Sequence, residues 1–303
     1  MNLKIVFYYL GWVLNIEAVL MLLPCAVSLI YGDGMLPYFL VTMVICTVIG
    51  FMTAHKKPAD TVFYAREGFL TVALTWVMLS FFGALPFWFS RQIPSLVDAM
   101  FETISGFTTT GASILSDVEA LSPSLLMWRS FTHWVGGMGV LVFVLAILPL
   151  AGGGYSMYLM RAESPGPSVG KLTPKVKNTA KILYLIYLVM TVLQMILLLI
   201  GGMPLFDSLA TSFGTAGTGG FGIWNDSIAH YNSYYLQNTI GAFFSERRGN
   251  RRVPKLHPPL RHWQEQFLVA GTSSPWFLPN RQCGSSSGFP VVLFRFWHSI
   301  LRL

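Results

Sequence analysis

The chain has 303 residues, of which 53% are hydrophobic and only 11% charged, with a net charge of +7 and a mean hydropathy of +0.57. Ordinary soluble domains carry about 25% charged residues, so this composition belongs in a bilayer, and the basic excess, which could also suggest nucleic acid, is decided by where the charges sit: in the loops expected on the cytoplasmic side. Cys25, Cys46 and Cys283 show no paired spacing, and the first two sit in apolar runs, which predicts neither a disulfide framework nor a metal site.

Crossing the hydrocarbon core takes about 20 mostly apolar helical residues, and five segments qualify: 5–31, 36–54, 69–90, 125–150 and 182–202. The first is too long, and too lacking in a small-residue cleavage pattern, to read as a removed signal peptide. The loop after the second span carries Lys56, Lys57 and Arg66, and the one after the fourth carries Arg161, Lys171, Lys175, Lys177 and Lys181. Basic short loops stay on the cytoplasmic side, so the N-terminus is expected inside. The outward connections hold mainly Asp33, Asp98, Glu102, Asp117, Glu119, Asp207 and Asp226. A sixth span begins at YYLQNTIGAFF but runs into SERRGNRRVPKLHPPLRHWQEQ, and the expectation for 246–303 is a frameshifted or otherwise aberrant tail, against a genuine cytoplasmic extension.

Between spans lie two polar runs, SGFTTTGASI at 105–114 and GTAGTGGFGI at 214–223. Setting Asp98 on Asp207 gives an offset of 109 (207 − 98) that also places Thr109 on Thr218 and Gly111 on Gly220 without a gap. Each copy follows a proline (Pro94, Pro204) and a short half-apolar helix. One copy alone reads equally well as a glycine-rich turn; two in register predict span, re-entrant hairpin, span units. Non-helical backbone at membrane depth is tolerated only where it is buried in protein or lines a watery cavity. Glycine allows dihedral angles that aim several carbonyls to one side, and carbonyl rings of that kind replace the hydration shell of potassium.

Other polar residues have competing readings. Glu17 and Asn15 inside the first span are functional candidates by default, against a neutral packing role. Arg129 and His133 could pair with a pore-loop carboxylate such as Glu102, or anchor at the interface beside Trp128 and Trp134. Gly136, Gly137 and Gly139 serve close helix packing or a hinge. There is no G-x-x-x-x-G-K-[ST] or H-E-x-x-H motif, so no enzyme is expected.

DAMFETISGFTTTGAS and DSLATSFGTAGTGGFGIWNDSI resemble the first and second pore repeats of the Trk/Ktr/HKT superfamily, most closely bacterial TrkH-type potassium uptake proteins. The resemblance runs over about residues 1–240 and implies an all-α integral membrane protein with tandem pore repeats, potassium-channel-like, behind a two-helix unit. The expected units are 1–66, a first repeat 67–150, a basic cytoplasmic linker 151–181, an incomplete second repeat 182–245 and the tail. By motif match the selectivity filter comprises Thr108, Thr109, Thr110, Gly111, Ala112, Thr218, Gly219, Gly220 and Phe221, whose backbone carbonyls would hold K+. Asp98, Glu102 and Asp207 are candidates for the outer vestibule. The family folds four repeats around one pore; two are present here. It also implies a cytosolic nucleotide-binding regulatory subunit of the TrkA/KtrA kind contacting the linker, a homodimer, and the bacterial cytoplasmic membrane. A non-conducting fragment and a secondary cation transporter are the alternatives.

Overall fold

The computed structural model describes residues 3–55, 58, 65–139 and 176–247, all within the unit Met1–Thr272, and every regular element among them is helical. α1 (Leu3–Leu20) and α2 (Leu22–Tyr31) form one 29-residue apolar rod with a step at Met21. Pro24 has no N–H to give the Leu20 carbonyl, and the ladder continues around it through Met21 N–H to Glu17 O and Cys25 N–H to Met21 O. The rod ends where Gly32 turns left-handed at φ 63° and closes on Ser28 O. α3 (Leu36–Ala54) returns alongside α1, and α4 (Ala65–Phe89) packs against both.

Among the described residues four helices are long and apolar enough to cross a membrane: Leu3–Tyr31, Leu36–Ala54, Glu67–Phe89 and Ile182–Ile200. α3 exposes Val41, Val44, Val48 and Phe51, and α7 (Val176–Ile200) exposes Leu185, Ile186 and Val189, as lipid-facing helices do. α6 (Pro123–Gly137) differs from the span expected at 125–150. It ends at Gly137, with Gly139 left-handed at φ 67°, and 140–150 lies outside the described residues. Clustered glycines favour helix termination, since each gives up more backbone freedom than alanine.

α6 is the hub of the fold. Every residue from Ser124 to Val135 is buried, and the helix packs against α2, α5 (Leu96–Phe107) and α8 (Leu205–Ala216). Its aromatics are held by polar handles as well as by area. Trp128 Nε1 donates to Gly83 O at 2.9 Å, Trp134 Nε1 to Thr191 Oγ1 at 3.2 Å, and Tyr187 OH to Trp134 O at 2.9 Å. Phe131 and Trp134 stack on each other and both meet Phe213 of α8. A 3-10 turn (Ser227–His230) leads into α9 (Tyr234–Arg247), whose 14 residues rise only about 21 Å. The linker expected at 151–181 and the tail at 246–303 fall almost wholly outside the described residues; α7 starts inside the former, at Val176.

Candidate functional site

The two hairpins are built on one backbone plan. α5 and α8 each have 12 residues, and their bounds differ by 109 at both ends (205 − 96 and 216 − 107). Ser95 caps α5 by accepting from the Asp98 N–H, whereas α8 begins after Pro204. The turns that follow close with matching hydrogen bonds. Thr108 N–H donates to Ile104 O (2.9 Å) as Gly217 does to Phe213 O (3.1 Å), and Thr109 N–H to Gly106 O (3.0 Å) as Thr218 does to Thr215 O (2.9 Å). Thr110 N–H donates to Ser105 O at 2.9 Å and Gly219 to Gly214 O at 3.2 Å.

Dihedral angles repeat as well. Thr109 and Thr218 have φ 54° and 58°, and Gly111 and Gly220 have φ 77° and 79°. Glycine takes such angles freely, but a β-branched residue there is strained by about 1–3 kcal/mol and persists only where its surroundings enforce it. The same strain at both equivalent threonines marks the turn itself as the selected feature. Among the described residues the carbonyls of 108–112 and 218–221 accept no hydrogen bond. The strands lie against each other, since a Cβ on Gly111 would collide with the Gly219 carbonyl.

Different side chains fasten the two copies. In the first, Glu102 is 1% exposed, pairs with Arg129 Nε at 2.5 Å, and accepts from Ser113 Oγ (2.9 Å) and the Ile114 N–H (3.0 Å). In the second, Asp207 accepts from Tyr231 OH and from Trp224 Nε1. Burial first, and then the Asp207 carboxylate, push the Tyr231 phenol up, so it remains a donor at physiological pH. The hairpins also grip each other. Arg129 Nη1 donates to Gly222 O at 2.8 Å, and its Cζ lies 3.6 Å from the Phe221 ring centre. The Asn225 side chain accepts from the Val118 N–H and donates to Asp117, while its own N–H donates to Glu119. His133 is wholly buried behind the second strand, edge-on to Phe221 and against Gly217 and Gly219, and neither ring nitrogen has a hydrogen-bond partner among the described residues.

The three carboxylates expected at an outer vestibule are not equivalent. Asp98 is half-buried, but Glu102 is neutralised by Arg129 and Asp207 is tied to Tyr231, so neither presents an open charge to solvent. The pairing of Arg129 with Glu102 is present, in a buried setting rather than an interfacial one. Gly136 and Gly137 sit at close approaches, to the Phe107 carbonyl and to Gly217 with Tyr187 OH, which is packing. Glu17 is fully buried, and a Cβ on Gly83 would lie 3.2 Å from its Oε1. Because Gly83 also touches Thr103 and Phe107 of α5, Glu17 lies nearer the first hairpin than its place in the leading unit suggests. Tyr231, Trp224 and Asn225 were not anticipated; at the 109 offset they fall opposite Ser122, Leu115 and Ser116, so the repeat gave no signal for them. Among the described residues no group of histidines, cysteines and carboxylates could hold a metal ion.

An all-helical membrane protein with tandem re-entrant hairpins that present strained, unbonded carbonyls is of the pore-loop class. A family model described as TrkH, cation transport protein, matches residues 36–245. Trk system potassium uptake protein TrkH of Salmonella typhimurium is 42% identical over 228 residues, covering 74% of this chain and 47% of the relative. TrkG of Escherichia coli is 33% identical, with coverages of 80% and 50%. The crystal structure of the potassium transporter TrkH from Vibrio parahaemolyticus superimposes with a TM-score of 0.67 at 32% identity, over 80% of this chain and 49% of that one. The chain therefore belongs to the TrkH cation transport family, and it spans about half the length of the relatives it matches.

Proposed function

We propose that this chain contributes two of the filter strands of a potassium uptake pore. The observation that carries the reading is the strained turn found twice, Thr109 with Gly111 and Thr218 with Gly220, followed in both copies by carbonyls without internal partners. Potassium sheds water against the carbonyls of Thr108, Thr109, Thr110, Gly111 and Ala112 on one side and of Thr218, Gly219, Gly220 and Phe221 on the other. It then moves down its electrochemical gradient. No residue forms a covalent intermediate, and the oxygens act by replacing hydration. The N-terminus faces the cytoplasm of a bacterial cell, the membrane is the cytoplasmic one, and 151–181 meets a nucleotide-binding regulatory subunit of the TrkA/KtrA kind. The whole assembly is a homodimer. The names of the relatives, which specify potassium uptake within a Trk system, support the potassium reading.

The test is growth of a potassium-uptake-deficient bacterium on limiting potassium. Expression of the chain joined to the missing half of a relative restores growth, and Gly220→Ser both weakens it and admits sodium. Equal growth and unchanged ion preference with Gly220→Ser would remove the filter assignment.

A further inference from the structure

We propose that the buried Glu102–Arg129 pair is the positioning element that sets the spacing between the two filter strands, and through it the preference for potassium over sodium; this rests on the pore reading above. Arg129 is 3% exposed and works along two edges of one planar group. One edge takes Glu102 through Nε, and Glu102 in turn holds Ser113 and Ile114, the residues directly after the first filter run. The other edge donates to Gly222 O directly after the second run, with Phe221 under the cation. A single guanidinium on α6 thus grips the outgoing ends of both strands.

The first and second repeats do not share this device. At the 109 offset, Glu102 and Arg129 correspond to Thr211 and Asn238, and Asn238 is solvent-exposed. The second hairpin therefore borrows the arginine of the first. Arginine is suited to the task because its donors stand in a fixed fork, whereas a lysine ammonium is one point charge. A buried ion pair is weak evidence for a stability role, because well-packed apolar replacements often match it. Geometry is the better account. Whether selectivity comes from cavity size or from the number and field strength of carbonyls, both change if one strand drifts from the other.

The experiment is amide hydrogen exchange on the 303-residue chain in lipid nanodiscs, alongside rubidium and sodium uptake into liposomes by the chain joined to the missing half of a relative. Glu102→Gln touches only the first hairpin, yet exchange in both 105–114 and 214–223 should rise about tenfold, as local opening of a coupled unit requires. Arg129→Lys should do the same. The double replacement Glu102→Leu with Arg129→Met guards against misfolding: its thermal unfolding stays near that of the parent while both segments still exchange faster. If Glu102→Gln loosens only 105–114, the proposal is overturned. If the joined parent takes up rubidium selectively and Arg129→Lys leaves that selectivity intact, it is overturned as well. A joined parent that takes up neither ion counts against the pore reading, and the exchange result then decides the pair by itself.

Discussion

The first and second hairpins agree in helix bounds, closing hydrogen bonds and four left-handed residues, and disagree in nearly every side chain that holds them. Glu102 with Arg129 does in one what Asp207 with Tyr231 and Trp224 does in the other. Backbone conformation is what the site requires, and any fully bonded polar cluster behind it satisfies that requirement. Aligned residues are therefore poor guides to equal roles. Asp98 and Asp207 align, yet one is half-buried and the other is 8% exposed and hydrogen-bonded.

The glycine pair offers the largest effect by which to break this comparison. Gly111 and Gly220 share their φ, but a Cβ on Gly111 strikes the Gly219 carbonyl while one on Gly220 meets nothing within 4 Å. Gly220→Ala should destabilise by about 1–2 kcal/mol from left-handed strain alone. Gly111→Ala should add a backbone collision and exceed it by about 1–3 kcal/mol, since overpacked groups must shift. Thermal unfolding in detergent reads the difference, and equal losses would mean the strands are not in contact.

A smaller contrast lies in the aspartates. Asp207→Asn weakens charge-assisted bonds in a buried cluster and should cost about 1–3 kcal/mol, while Asp98→Asn should stay within about 0.5 kcal/mol. Chemical denaturation of both variants tests that order.

The smallest effect concerns Asp33, in the loop between α2 and α3. Burial alone would raise its carboxyl, but hydrogen bonds from Ser124, Ser28 and the Met35 amide outweigh it and hold the group below its ordinary 3.8. A depressed folded value contributes stability above the unfolded value and loses it as pH falls through the folded one. Asp33→Asn should therefore flatten the acid limb of a stability–pH curve below about pH 4 and leave the neutral region parallel to the parent. An unchanged acid limb would show that Asp33 does not cap α6 through the Ser124 N–H.

Four of the five expected spans and both hairpins were legible in the sequence because they follow from length, hydropathy and a gapless offset, all local properties. The left-handed turns could be read from Gly111 and Gly220, and the identical strain at Thr109 and Thr218 only from their alignment. What could not be read was which partner each buried charge finds. Arg129 and Gly222 are 93 residues apart, and Asn225 and Asp117 are 108 apart, so their meeting depends on how α6 sits between the repeats. The central place of α6 was hidden for a similar reason. Its polar Ser124, Ser130, Thr132 and His133 look unsuited to lipid, and in the fold protein surrounds them.

α1 and α3 meet through Gly11 and Gly50, where an added methyl on either would lie 2.7–2.8 Å from the other's carbonyl oxygen, and Asn15 Nδ2 donates to Gly11 O. Small residues let two helices approach to main-chain distance, and here the Thr53 and Asn15 side chains close over the same spot. The leading pair thus has a clasp of its own, separate from the face that α1 turns to α4. A bulky residue at either glycine would part the two legs without touching either hairpin.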